Sequence, residues 1–294
     1  MTSEGKYLME VYNINYTSTG RDIIRFKDTK SAKGGVLIMA DPDYDLGLKD
    51  MEQVISELKL PSLKGEVSKQ LSDMRFPRLS ATKEEADEIE KLLKGQYEVK
   101  NFQDKKALEG VLSTYKQQKI VHISTHGYFL EKEKKEPQTM GIDNEWLNQK
   151  DRIKPAKIEN PMLRSGLVFA GVNASLKEKR EEGILTAEKV LGLDFKGTEL
   201  VVLSACETGV GDINNGEGVF GLKRAFILSG AKSLVMSLWK VEAKATRDFM
   251  IDFYKLLQQG KAKAEALKQA KSNMKAKKDN PYYWAAFVMT GNPQ

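Results

Sequence analysis

The chain has 294 residues, 40% of them hydrophobic and 30% charged, a balance that suits a folded globular chain and excludes a disordered or fibrous one. A single cysteine forbids an intrachain disulfide and points to a reducing, cytoplasmic setting, and no run of 18 apolar residues is present to span a membrane. The net charge of +6 raises nucleic acid as a partner, but 38 of the 47 basic residues are lysines, which solvate a surface more often than they read bases, so direct nucleic-acid binding is not expected.

The segment from Tyr7 to Tyr16 alternates weakly and reads as a strand. Gly35 to Ala40 is the first strong strand, ended by the turn signal Asp41-Pro42-Asp43. A helix is expected from Gly47 to Lys59, followed by a polar connection from Pro61 to Leu79. Thr82-Lys83-Glu84-Glu85 has the capping-box pattern that launches a helix, which Gly95 stops. A strand at Gln96 to Lys100 and a helix from Asp104 to Gln118 lead into a β-branched run, Ile120 to Gly127. Glu131 to Lys157 is charged, aperiodic and broken by Pro137 and Pro155, which reads as a long excursion at the active edge. Gly166 to Gly171 reads as one strand of a hairpin, Lys177 to Gly183 as a second charged loop, and Thr186 as the cap of a short helix. A buried strand then ends at Cys206 before a glycine-rich turn. After it come a helix from Gly218 to Leu228, a strand from Lys232 to Trp239, helices near 243–259 and 262–276, and a last strand from Ala285 to Thr290. The lysines from Lys261 to Lys278 read as the charged outer face of an amphipathic helix. Strand and helix alternate throughout, so the class is α/β with a mostly parallel sheet.

Two of these strands carry chemistry. Leu200-Val201-Val202-Leu203-Ser204-Ala205-Cys206 is apolar without alternation, the mark of a strand covered on both faces, and Gly209 and Gly211 follow it. Ile120-Val121-His122-Ile123-Ser124-Thr125-His126-Gly127 has the same shape and ends in His-Gly. In one parallel sheet, Cys206 and His126 would emerge together at the carboxyl edge, where open α/β sheets bind ligands. A thiol beside an imidazole there reads as a nucleophile with its base. The plainer reading of a lone cysteine is a small buried hydrophobe. A metal pair of His122 and His126 is not expected, because four residues of strand span roughly 13 Å at ~3.3 Å each. No metal and no cofactor is expected.

Val121 to Gly127, Leu203-Ser204-Ala205-Cys206-Glu207-Thr208-Gly209 and Ser237-Leu238-Trp239-Lys240-Val241 follow one another in the order of the CHAT domain, a family of caspase-like cysteine peptidases related to caspases and separases. Gly216-Glu217-Gly218, Ser165 to Val168 and Trp284 to Phe287 also resemble its pattern, so the resemblance covers nearly the whole chain, read as one domain over 1–294 with a long insertion at about 131–183. It implies a three-layer sandwich: a mostly parallel six-stranded sheet with helices on both faces. It also implies a cysteine endopeptidase with His126 and Cys206 as its dyad and backbone N–H groups of Gly127 and Cys206 as its oxyanion hole. No third triad member stands out, and His122 is read as a structural residue inside the sheet layer.

The same resemblance makes Trp239, Val241, Glu242 and Ala243 the wall of the pocket for the residue before the cut. An acid is usual two positions after the valine, but here that position is Ala243. Cleavage after arginine is therefore in doubt: either Glu242 or Asp212 supplies the charge, or a medium apolar residue is accepted. CHAT domains often follow helical repeats that recruit a partner, and none is visible here. The expected partners are a protein substrate and an activating or recruiting protein, in bacterial signalling or defence. Loops 131–160 and 173–183 are expected to hold the site inactive until the partner binds or they are cut. A catalytically silent CHAT scaffold acting through protein–protein contact is the competing reading, and intact His126, Gly127 and Cys206 argue against it.

Overall fold

Successive residues of a strand point to opposite faces, so a continuous apolar run demands cover on both sides of its sheet. The computed structural model describes residues 5–27, 30–63, 66–130, 160–204, 206–207 and 217–294, with backbone alone at 206–207 and 217–220. Among them the strands are β1 (Val36–Pro42), β2 (Val99–Asp104), β3 (Ile120–Ser124), β4 (His126–Phe129), β5 (Ser165–Val168), β6 (Ile184–Thr186), β7 (Leu200–Leu203), β8 (Cys206–Glu207), β9 (Ser233–Ser237) and β10 (Phe287–Gly291). The longer helices are α1 (Leu48–Leu58), α2 (Ala81–Leu93), α3 (Glu217–Leu228), α4 (Ala243–Gln258) and α5 (Lys263–Lys277). The main sheet has the order β10-β9-β7-β3-β1-β2 and is parallel except for the β10–β9 pair.

Strand parity divides the core. Leu37, Met39, Val121, Ile123, Val201, Leu203 and Leu234 pack with Met51 and Val54 of α1 and Leu222 and Phe226 of α3. Val36, Ile38, Ile120, Val202 and Val235 pack with α2, α4 and α5 on the other face. Phe249 of α4 stacks on Phe287 of β10 there, with ring centroids 3.9 Å apart. The expected α/β sandwich with a mostly parallel six-stranded sheet is thus the observed one. No helix among the described residues is long and apolar enough to cross a membrane.

A smaller sheet, β6-β5-β4-β8, lies beyond the carboxyl ends of β3 and β7 and positions the site. β3 stops at Ser124 and the chain re-enters as β4 at His126; β7 stops at Leu203 and re-enters as β8 at Cys206. Both residues therefore open short strands of the second sheet instead of closing long strands of the first. That correction reflects pairing: β4 finds an antiparallel partner in β5 and a parallel one in β8.

Other expectations need correction. Tyr7 to Tyr16 is not a strand: Leu8–Val11 forms a helical turn, the Tyr7 N–H donates to the Glu10 carboxylate at 2.7 Å, and only Tyr16 bridges to Thr290. β2 runs on to Asp104, whose φ of 55° turns the chain, and the expected helix 104–118 shrinks to Gly110–Thr114. Residues Val172–Lys177, expected as loop, form a helix that buries Asn173. The excursion from 131 to 159, the glycine turn 208–211 and Asp212 lie outside the described residues. On α5, Lys263 is buried instead of lying on the outer face; burial pushes its amine down to about 8 although Glu199 lies close.

Candidate active site

A histidine works as a proton carrier only if its orientation and tautomer are fixed. His126 is 3% exposed, with its ring against those of Tyr44 and Phe76 at centroid distances of 5.2 and 5.8 Å. Its backbone N–H donates to Tyr44 Oη at 3.2 Å, Tyr44 Oη lies 2.9 Å from Thr125 Oγ1, and the Thr125 hydroxyl donates to the Val168 carbonyl. Each hydroxyl in that chain accepts one proton and gives one. Burial pushes the Tyr44 phenol far above its ordinary value, so it stays protonated.

Nε2 of His126 lies 2.7 Å from the carbonyl oxygen of Pro77. A carbonyl only accepts, so Nε2 carries the proton and Nδ1 is the bare lone pair. Nδ1 is buried and has no hydrogen-bond partner among the described residues. Burial pulls the His126 pKa below its usual value, the Pro77 carbonyl resists that, and Lys240 adds to the fall. The ring is therefore neutral near pH 7, with its basic nitrogen open.

Pro77 sits in the connection that sequence reading left as a polar linker, yet both its neighbours are clamped. Asn173 accepts from the Phe76 N–H at 3.0 Å and donates to the Phe76 carbonyl at 3.0 Å and to Asp45 at 2.9 Å. Arg78 forks onto Asp41 at 2.9 and 2.7 Å and reaches Asp104 at 2.8 Å. The acceptor that fixes the histidine is a main-chain atom, which no side-chain motif displays.

Cys206 opens β8 and is the register partner of His126 in the parallel β4–β8 pair, with Gly127 opposite Glu207. Paired strands lie about 4.8 Å apart. Sequence reading expects these two residues together at the carboxyl edge of one parallel sheet; the structure pairs their backbones within the small sheet instead.

Beside His126 opens a cavity of about 140 Å³, lined by Val241, Glu242 and Ala243, by Leu79, Thr82 and Glu85, and by Ser204 and Thr246. Lys240 and Tyr282 complete its wall. Three of the four residues expected at the specificity pocket thus line one cavity with His126. The fourth, Trp239, is half-buried and donates through Nε1 to the carbonyl of Tyr282 at 3.0 Å. Glu242 is turned outward to Lys278 at 2.7 Å. Sequence reading missed Glu85, Ser204 and Thr246, which come from three elements.

His122 is fully buried, with Nδ1 3.2 Å from Tyr254 Oη and Nε2 2.9 Å from Glu85 Oε1. The last contact is close without the alignment of a full hydrogen bond. Among the described residues no three His, Cys, Asp or Glu side chains converge to hold a metal ion.

Comparison with known proteins gives the family of the chain. The chain is 28% identical over 245 residues to human tetratricopeptide repeat protein 28, covering 82% of this chain and 9% of that one. It is 32% identical over 113 residues to the mouse protein of the same name, covering 38% of this chain and 4% of that one. The chain thus spans less than a tenth of the length of these curated relatives. Among solved structures, the Arg-specific cysteine proteinase gingipain R superposes with a TM-score of 0.48 at 10% identity, over 92% of this chain and 50% of that one. The family model of the CHAT domain matches residues 1–292, and the chain belongs to that family.

Proposed function

We propose that the chain is a cysteine endopeptidase that cuts a specific protein, with Cys206 as nucleophile and His126 as its base. The observation that carries this reading is the state of His126: neutral, oriented by Pro77 through Nε2, and presenting an unpartnered Nδ1 in the residue that pairs with Cys206. Nδ1 takes the thiol proton, the thiolate adds to the scissile carbonyl, and the imidazolium returns the proton to the leaving amine. Water then releases the acyl group by the reverse order of proton transfers. Backbone N–H groups of Gly127 and Cys206 face the oxyanion in this scheme, and such donors are worth about 3–4 kcal/mol each.

A low His126 pKa favours a general base over a standing imidazolium, so rate should rise with pH through the acidic range and then level. Recruitment by a partner belongs to the proposal, since both curated relatives are named as repeat proteins many times longer than this chain.

The test is a mass-spectrometric cleavage profile on a diverse peptide library, with Cys206→Ala and His126→Ala as controls, repeated with the native partner present. Cuts that vanish in both variants support the peptidase. Cuts that persist in Cys206→Ala, or none with the partner bound, overturn it in favour of a binding scaffold.

A further inference from the structure

A cavity lined only by apolar atoms can stay empty, whereas polar atoms left unpaired in one mark the place of a polar ligand. Ser204, Thr246 and His126 line the cavity, and their Oγ, Oγ1 and Nδ1 atoms are buried without a hydrogen-bond partner among the described residues. With them stands Glu85, 1% exposed, whose close polar neighbour is His122. A carboxylate offers about four acceptor positions. One misaligned donor leaves most of them unfilled, and a buried carboxylate in that condition is costly.

The other charges around the cavity do not answer Glu85. Lys240 is exposed, and solvent screens its charge. Glu242 is held by Lys278, and Glu84, one residue before Glu85, is held by Arg247. Leu79, Val241 and Ala243 supply apolar lining to the same cavity. At about 140 Å³ the space matches the ~150 Å³ that takes a benzene-sized group. An aliphatic stem with a cationic head fits that lining, the stem against the apolar side chains and the head against Glu85.

We propose that Glu85 is the specificity-determining residue of this cavity, which accepts an arginine or lysine side chain through Glu85, Thr246 and Ser204. That this side chain belongs to the residue before the cut rests on the peptidase reading above; the binding itself does not. The charge that Ala243 cannot supply from the start of α4 is delivered across the cavity by α2. Arginine ranks ahead of lysine, because its planar fork of five donors can meet a carboxylate and two hydroxyls at once.

The experiment uses the full chain carrying Cys206→Ala and two small probes, N-acetyl-argininamide and its neutral isostere N-acetyl-citrullinamide, followed by ligand-observed NMR titration. The arginine amide should bind at least ~10-fold more tightly, about 1.4 kcal/mol, and Glu85→Gln should erase the difference. Equal affinities, an arginine preference unchanged in a folded Glu85→Gln protein, or no binding of the arginine amide at about 10 mM overturn the proposal. Should Glu85→Gln fail to fold, the ratio of the two probes on the protein with Glu85 intact still decides. Cleavage of peptides by the unmutated chain separates the two readings. Arginine-selective binding without cleavage, the native partner being present, keeps Glu85 and removes the peptidase. Cleavage after leucine or methionine without arginine preference keeps the peptidase and removes Glu85.

Discussion

The clamp on Pro77 gives a sharp test of how the histidine is held. Asn173 is 5% exposed and satisfies both the N–H and the carbonyl of Phe76, itself 1% exposed. Asn173→Ala removes both partners at once. A buried polar group deprived of its partner costs about 1–3 kcal/mol, so two of them sum to about 2–6 kcal/mol. Water entering the vacated space brings the expected loss to about 2–3 kcal/mol. Asn173→Asp is a second arm: it keeps an acceptor for the Phe76 N–H but sets an acceptor against the Phe76 carbonyl and a carboxylate against Asp45, which Asn173 meets at 2.9 Å. At neutral pH it should be at least as damaging as alanine. Urea unfolding measures the stability loss, and nitrogen chemical shifts of His126 report whether the Nε2–H tautomer survives. A loss below about 0.5 kcal/mol, the scale of ordinary surface substitutions, would refute the clamp, as would an unchanged tautomer in a destabilised Asn173→Ala protein.

Because burial lowers the His126 pKa, the unfolded chain binds a proton before the native one as pH falls. Stability should therefore drop below about pH 6.5 relative to His126→Gln and be indifferent to this residue above it; a relative gain on acidification would contradict the assignment. Phe249→Ala removes one partner of the 3.9 Å stack on Phe287 from a fully covered site and should cost about 3–5 kcal/mol in denaturant unfolding. Gly166→Ala would place a Cβ 2.6 Å from both the Leu185 carbonyl and Tyr128 Oη, inside the small sheet that carries His126. It should lose about 1–3 kcal/mol and lower cleavage together with stability. With its amine held to about 8, Lys263 is neutral in the native state before it is in the unfolded one. Stability should climb from pH 8 toward about pH 10.4, and Lys263→Met should flatten that climb in urea titrations.

The sheet was legible because its signal is local: β-branched runs such as Leu200 to Leu203 specify strands covered on both faces wherever they pair. The step from Ser124 to His126 between sheets was not, because β4 exists only through partners far along the chain, β5 and β8. Glu85 shows how a local rule conceals a distant role. Read as a capping box, Thr82 and Glu85 would satisfy the first amides of their own helix. Instead Ser80 stands at the N-cap, the Thr82 hydroxyl donates to Leu79 and accepts from the Asp41 N–H, and Glu85 turns toward His122. The contrary signal was present: the buried positions of α2 are Thr82, Glu85, Ala86, Ile89 and Leu93, the helical period with a glutamate on its apolar stripe. A carboxylate on that stripe must meet a partner from the element it packs against, and His122 has the strand parity of Ile120, which faces the same helices. Periodicity therefore sets the unexplained polar residue on the inner face, while its partner is found only by packing. The carbonyl of Pro77 marks the harder limit. Every residue carries that group, and it is Asn173, 97 residues after Phe76, and Arg78, the residue after Pro77, that fix where it points.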